Sequence, residues 1–163
     1  MKRGWVLGVA LAVGLDQVLK LWAVARFVEG QFTEVWPGVL RLGLVYNTGA
    51  AWGLFSGSAL PLALLRLGVG LALLGLLWRG VQPRGRGLAL TLIASGALGN
   101  ALDGLRLGKV VDPLSALPLS SLTQALYGQD FPVFNLADVW VVAGVAMLLV
   151  AALLERRPHQ ARR

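Results

Sequence analysis

The sequence predicts an all-α membrane protein, a single domain over residues 1–163 that crosses the bilayer four times. Hydrophobic residues make up 56% of the chain and charged residues only 14%, whereas soluble domains average about 45–50% and about 25%. A spanning helix needs about 20 mostly apolar residues. Four windows meet this requirement, at about 5–25, 60–78, 88–107 and 136–154. This composition excludes a disordered chain and most soluble enzymes.

The first window also has features of a secretory signal peptide. Lys2 and Arg3 precede an apolar run, and Ala23–Ala25 would offer a cleavage site of small residues. Asp16 and Lys20 interrupt that run, which is continuous in signal peptides. We therefore expect a retained membrane anchor, with cleavage after residue 25 as the alternative.

Basic residues are divided unequally between the two sides of the predicted bundle. One side carries nine of them: Lys2, Arg3, Arg79, Arg84, Arg86, Arg156, Arg157, Arg162 and Arg163. The other side carries four: Arg26, Arg41, Arg106 and Lys109. Because basic residues accumulate in cytoplasmic loops, we expect both termini in the cytoplasm and residues 26–59 and 108–135 outside. The net charge of +7 then reflects topology and contact with membrane lipids, and no basic stripe interleaved with aromatic residues indicates nucleic-acid binding.

Polar residues within the spans are concentrated at one height of the membrane. Ionisable groups at this depth are costly, so each is a candidate functional residue. The predicted outer half contains Asp16, Lys20, Asn100, Asp103, Asp112, Asn135 and Asp138. These residues are far apart in sequence, yet the predicted topology brings them to one outer-leaflet layer.

Spacing along the helices allows structural roles for some of these residues. Asp16 and Lys20 are four residues apart, so they share a helix face and can form an ion pair that orients the helix. Asn100 and Asp103 are three residues apart and again share a face. Hydrogen bonding between helices is as good an interpretation of this second pair as a direct role in a site.

The two outward segments contain further local signals. The run Val39–Val45 has the length of a strand, and the proline after Asp112 favours an extended conformation there. Asn135 is suited to cap the fourth helix, with Asp138 in its first turn near the positive end of the helix dipole. Capping alone would explain those two residues, but not a second carboxylate at the same height. Residues 114–130 carry no motif, and we expect a loop.

A pair of carboxylates that share one proton can hydrolyse a peptide bond. The ionised carboxylate takes a proton from water while the protonated one polarises the scissile carbonyl. The chain has no cysteine and one histidine, His159, in its basic tail. Neither a cofactor nor a metal site is therefore expected, and aspartate chemistry is the most compatible route.

Five motifs occur in order along nearly the whole chain. They are DQVLK at 16–20, NTGAAWG at 47–53, GALGNALD at 96–103, VVD at 110–112 and FPVFNLAD at 131–138. In this order, and within four spans, they resemble the motifs of the lipoprotein signal peptidases (signal peptidase II), aspartyl proteases of the bacterial inner membrane.

The resemblance implies a specific site and substrate. It implies Asp112 and Asp138 as the catalytic pair, with positioning roles for Asp16, Lys20, Asn47, Asn100, Asp103 and Asn135. The implied reaction removes the signal peptide of a prolipoprotein just before a cysteine that carries a diacylglyceryl group. The implied fold is a four-helix bundle with a small extracytoplasmic β-cradle and a short helix, both from residues 26–59. One complete site per chain suggests a monomer.

Two positions depart from the family pattern. The family usually has arginine after the aspartate of the third-span motif, where this chain has Gly104, and phenylalanine after the aspartate of the VVD motif, where it has Pro113. Arg106 lies two residues beyond Gly104, but on a helix it points elsewhere.

Two other classes of function remain as alternatives. A small transporter or ion relay could use buried acids, although a relay should place them through the full depth of the membrane. A purely structural membrane subunit would leave the polar layer without a purpose.

Overall fold

The computed structural model describes residues 2–49, 59–80 and 83–156. In these ranges the chain forms five helices and three strands. Their order is α1 (Lys2–Arg26), β1 (Phe32–Trp36), β2 (Leu40–Asn47), α2 (Ala59–Arg79), α3 (Arg84–Leu107), β3 (Val110–Ala116), α4 (Leu117–Tyr127) and α5 (Leu136–Arg156).

The four predicted spans are confirmed. Helices α1, α2, α3 and α5 are each long and apolar enough to cross a membrane. Their bounds agree with the predicted windows to within a few residues, the largest difference being the start of α3 at Arg84 instead of about 88. The connection between α2 and α3 is short, which makes them antiparallel neighbours.

Helix α3 forms the centre of the bundle. Within an apolar stretch of 18 residues in each helix, 67% of the residues of α3 are buried, against 22% in α1, 17% in α2 and 11% in α5. Small residues on α3 make this possible. A Cβ atom on Gly87 would lie 2.6 Å from Trp5 of α1, and one on Gly104 would lie 2.6 Å from Ala63 of α2. The three outer helices therefore pack closely on α3 and leave large apolar side chains exposed on their other faces, as lipid contact requires.

A three-stranded antiparallel sheet, in the order β1-β2-β3, lies at one end of the bundle. Strand β2 confirms the predicted strand near 39–45, and β3 confirms the extended conformation at Asp112. In the register of the β2–β3 pair, Asp112 lies opposite Val45. The expected cradle was therefore incomplete, because β3 adds a third strand from outside residues 26–59. We call the end of the bundle that carries this sheet the sheet end.

The prediction of a loop at 114–130 was wrong. Residues 114–116 continue β3, and 117–127 form α4. Pro118 stands in the first turn of α4, where its missing N–H costs nothing. Gly128, with φ of 69°, ends the helix in the left-handed conformation. The short helix expected within 26–59 is absent from residues 27–49, and 50–58 lie outside the described residues.

Candidate active site

Two carboxylates from different elements meet at the sheet end of the bundle. Asp112 is carried by β3 and Asp138 by the first turn of α5. Two asparagines join them. Asn135 Nδ2 lies 2.6 Å from Asp112 Oδ1, Asn100 Nδ2 lies 2.8 Å from Asp138 Oδ1, and Asn135 Nδ2 also donates to Asn100 Oδ1 at 3.0 Å. The amide pair therefore fixes one oxygen of each carboxylate.

The surroundings of Asp112 favour its protonated form. The side chain is almost fully buried, and Asp138 lies close by. Burial, and then the negative charge of Asp138, raise the pKa of Asp112 from 3.8 to about 7, against the opposing effect of hydrogen bonds from Asn135 and Asn47. The pair can therefore hold one proton at neutral pH, which is the state that aspartate catalysis of hydrolysis needs.

The predicted cap of α5 is confirmed. The backbone N–H of Asp138 donates to Asn135 Oδ1 at 2.9 Å, and the backbone N–H of Asn135 donates to Asp138 Oδ2 at 3.2 Å. This reciprocal arrangement is a capping box. It fixes Oδ2 of Asp138, whereas Oδ1 accepts from Asn100. Capping and a role in the site are thus both present in the same two residues.

Lys20 is the buried centre of the polar layer. Its ammonium lies 2.8 Å from Asp16, as the spacing predicted, and 3.0 Å from Asp103 of α3. It also donates to Asn100 Oδ1 at 2.8 Å. The interaction is therefore not confined to α1, as an ion pair within the helix would be. A buried ammonium with three such partners is compensated for its loss of water.

Asp16 and Asp103 each accept a hydrogen bond from the backbone N–H of the residue that precedes Asp138 or Asp112. Asp16 Oδ1 accepts from the N–H of Ala137 at 2.9 Å, and Asp103 Oδ2 accepts from the N–H of Val111 at 3.1 Å. Gln17, which sequence reasoning did not single out, donates to the other oxygen of Asp103 at 3.0 Å. The bonding partners of Asp103 are therefore Lys20, Gln17 and the backbone of Val111.

A groove of about 480 Å³ opens beside the two carboxylates. Its floor is α3, and its walls come from α2 and α5. Asn47, which donates to Asp112 Oδ2 at 3.2 Å, and the segment 131–134 close its upper end. Most of the remaining lining is apolar and includes Leu65, Val69, Ile93, Val141 and Val142, whereas Arg66 of α2 and Asn100 of α3 are polar. Asp103 lines a second, smaller cavity together with Arg106.

The structure brings all eight predicted site residues into one hydrogen-bonded network. Six of them lie within α1, α3, α5 and β3, whereas Asn135 precedes α5 and Asn47 ends β2. Residues 50–53 of the second motif lie outside the described residues. As the helix geometry predicts, Arg106 does not take the place of an arginine at position 104. It donates to Gln17 at 3.3 Å and does not line the groove beside the two carboxylates.

Sequence reasoning missed Arg66, which lines the groove from α2. The signal was present, because an arginine within an otherwise apolar span is itself a candidate functional residue.

Comparison with known proteins decides between the alternatives. A family model described as signal peptidase (SPase) II matches residues 8–154. The chain belongs to the signal peptidase II family. A lipoprotein signal peptidase of Deinococcus radiodurans is 49% identical over 156 residues, which cover 93% of this chain and 80% of that protein. One of Lactococcus lactis subsp. cremoris is 37% identical over 150 residues, covering 91% and 93%.

Solved structures of bacterial membrane enzymes have the same fold as this chain. One bacterial membrane enzyme, determined by the in meso method, superposes with a TM-score of 0.82 at 28% identity, covering 98% of this chain and 93% of its own. Another gives a TM-score of 0.75 at 30% identity, covering 92% of each. This signal peptidase II family member is thus a membrane-embedded protease, and the transporter alternative is not favoured.

Proposed function

We propose that this protein is an aspartyl endopeptidase that removes the signal peptide from diacylglyceryl-modified prolipoproteins, cleaving before the lipidated cysteine. The observation that carries the proposal is the pairing of Asp112 with Asp138 at the polar end of an apolar groove. Apolar walls are suited to a signal peptide and to acyl chains. The polar end is suited to the scissile peptide bond.

In the proposed mechanism Asp112 carries the shared proton and Asp138 is ionised. Asp138 takes a proton from water as the water oxygen attacks the scissile carbonyl carbon, and Asp112 donates its proton to the carbonyl oxygen. The resulting gem-diol then collapses. The carbon–nitrogen bond breaks, Asp138 passes its proton to the leaving nitrogen, and Asp112 recovers a proton from a hydroxyl of the gem-diol. The pair ends as it began.

The other polar residues hold this pair in place. Asn100 and Asn135 orient the carboxylates, and Asn47 donates to the second oxygen of Asp112. Asp16 and Asp103 hold the backbones of α5 and β3 through their N–H groups. We infer that a monomer suffices, because a single chain supplies every member of the network.

We place the sheet end of the bundle outside the cytoplasm, in the bacterial inner membrane. The basic residues at 79, 84 and 86 lie at the opposite end of α2 and α3, which the positive-inside rule assigns to the cytoplasm. With this orientation the two carboxylates lie near the outer face, where exported substrates can reach them, while the exposed apolar faces of the helices contact membrane lipids.

The experiment uses purified protein and one prolipoprotein in two forms, with and without the diacylglyceryl group. We expect a mobility shift of the lipidated form and a mature product that begins with the lipidated cysteine. The unlipidated form should be cleaved poorly, because the lipid positions the scissile bond at the height of the carboxylates. Equal turnover of both forms would refute the substrate requirement, and cleavage of neither would refute the function.

A further inference from the structure

Arg66 is a cation within an apolar stretch of α2. It is half-buried and lines the groove between Leu65 and Val69. A guanidinium at membrane depth is costly unless it faces polar groups or a water-filled cavity. The network around Lys20 does not use it, since Lys20 is bonded to groups of α1 and α3. Its presence in the groove therefore needs a separate explanation.

Helix packing puts Arg66 at the height of the two carboxylates. Ala63 of α2 packs against Gly104, and Leu98 packs against Gly70. Because α2 and α3 are antiparallel, Arg66 lies roughly midway between these contacts, level with Ala101 and its neighbour Asn100. Asn100 in turn donates to Asp138.

Arg66 therefore faces the carboxylates from the opposite wall. Asp138 belongs to α5 and Arg66 to α2, and α3 lies between them as the floor of the groove. A substrate that lies in the groove would pass between these two walls.

The guanidinium has donors to spare. In the part of the chain that the structure describes, it makes a single hydrogen bond, from one terminal nitrogen to the carbonyl of Gly49 at 3.4 Å. Both ion pairs found among those residues involve Lys20. Arginine carries five N–H donors in a planar fork. Most of them are therefore free to bond a ligand in the groove.

We propose that Arg66 binds a carbonyl oxygen of the substrate across the groove from Asp112 and Asp138, an inference that rests on the proposed function. A neutral acceptor is favoured over a carboxylate or phosphate, because Asp138 lines the same groove and would repel an anion. Such an acceptor has two sources in a lipidated prolipoprotein. One is the peptide backbone beside the scissile bond, and the other is an ester of the diacylglyceryl group.

A purely structural role for Arg66 makes a different prediction. Through Gly49, Arg66 could hold the turn that follows Asn47, and Asn47 donates to Asp112. Loss of that support would weaken a hydrogen bond to the Asp112 carboxylate and shift the pH dependence of cleavage. Loss of a bond to substrate would instead raise KM and leave the pH dependence of kcat unchanged.

The test compares Arg66→Gln and Arg66→Lys with the wild-type enzyme, and Arg79→Gln at the other end of α2 serves as the matched control. Each is assayed on a diacylglyceryl prolipoprotein and on its dialkylglyceryl ether analogue, which lacks the ester carbonyls. We expect Arg66→Gln to lower kcat/KM about ten- to a hundredfold, mainly through KM, as loss of a charge-assisted hydrogen bond requires. Arg66→Lys should fall between, and Arg79→Gln should match the wild type.

The two substrates separate the sources of the carbonyl. An equal loss on both assigns the bond to the peptide, and a loss on the diacylglyceryl substrate alone assigns it to an ester. Wild-type kcat/KM for Arg66→Gln on both substrates would overturn the proposal, as would a shifted pH profile of kcat. If Arg66→Gln fails to insert in the membrane, the same outcomes are read from Arg66→Lys. A wild-type enzyme that cleaves neither substrate would refute the proposed function itself.

Discussion

The carboxylate of Asp16 in α1 accepts a hydrogen bond of 2.9 Å from the backbone N–H of Ala137 in α5. Ala137 directly precedes Asp138, and its N–H is one of the first-turn donors that a helix cannot satisfy by itself. Asp103 bonds the N–H of Val111, just before Asp112, in the same way. Two buried acids therefore hold the backbone next to Asp138 and Asp112, and Lys20 lies between these acids and forms an ion pair with each.

The first prediction concerns Lys20. Replacement by methionine, Lys20→Met, leaves Asp16 and Asp103 buried without their cation, so we expect a loss of about 3–5 kcal/mol in the free energy of unfolding. Denaturation in detergent micelles measures it. The double variant Lys20→Met/Asp103→Asn should lose less stability than the sum of the losses in the two single variants, because the two residues are in contact. Strict additivity would contradict the direct ion pair.

The second prediction concerns the two carboxylates. Asp112→Asn and Asp138→Asn should each abolish cleavage while the protein stays folded and inserted, because an amide cannot take up or release the shared proton. Since the two act as one unit, the double variant should be scarcely worse than either single variant.

Asp103→Asn is the comparison variant. We expect it to keep partial activity or to lose folded protein. If Asp112→Asn instead kept near-normal turnover while Asp103→Asn was folded but inactive, the pair would be Asp103 with Asp138.

The spans and the polar layer could be predicted because each rests on local signals. Length and hydropathy are enough to predict α1 and α5. A polar residue such as Asp16 or Asp138 can be recognised within an apolar span without knowledge of its contacts. The contact between Lys20 and Asp103 could not be predicted, because it depends on how α1 is rotated against α3. The same holds for β3, whose pairing with β2 joins residues that are 63 to 76 positions apart in sequence.

Other features were predictable but overlooked. Pro118 and Gly128 are typical start and stop signals of a helix, and they enclose α4 within the segment that was expected to be a loop. Arg66 was overlooked because its neighbours make an uninterrupted apolar window, although a charge there is informative in itself.

The third prediction concerns the pH dependence of cleavage. The pKa of Asp112 is raised to about 7, so the proton that the mechanism needs is present below this pH and lost above it. We expect kcat/KM to fall about tenfold per pH unit above about pH 7. The measured value belongs to the pair as a whole. A rate that stays constant up to pH 9 would contradict a proton on Asp112.

The same raised pKa makes stability depend on pH, with a sign opposite to that of most carboxylates. Between pH 3.8 and about 7 the folded protein binds the Asp112 proton and the unfolded chain has released it. The free energy of unfolding therefore decreases as pH rises through this window. Asp112→Asn should remove that decrease, which thermal unfolding at several pH values would measure. An identical pH dependence in the variant would exclude Asp112 as its origin.

The fourth prediction concerns topology. Reporter fusions within Gly80–Arg86 and after Arg157 should be cytoplasmic, and fusions near Gly57 and Gly128 should be extracytoplasmic. The reason is the excess of basic residues on the side of the termini. A fusion at Arg84 that reads as extracytoplasmic would reverse the orientation and place the two carboxylates near the inner face.

The last prediction concerns Gly96, where α3 and α5 touch. A Cβ atom at this position would overlap the carbonyl oxygen of Ala137 and approach Val141. Gly96→Ala should therefore push α5 away from α3, with a loss of about 1–3 kcal/mol in stability. Since Asp138 follows Ala137, the shift should also misplace the carboxylate, and a displacement of about 1 Å can lower the rate about a hundredfold. Gly68→Ala is the control, because a Cβ there meets nothing within 4 Å, and it should leave both stability and turnover intact. Equal behaviour of the two variants would show that the contact between α3 and α5 does not set the position of Asp138.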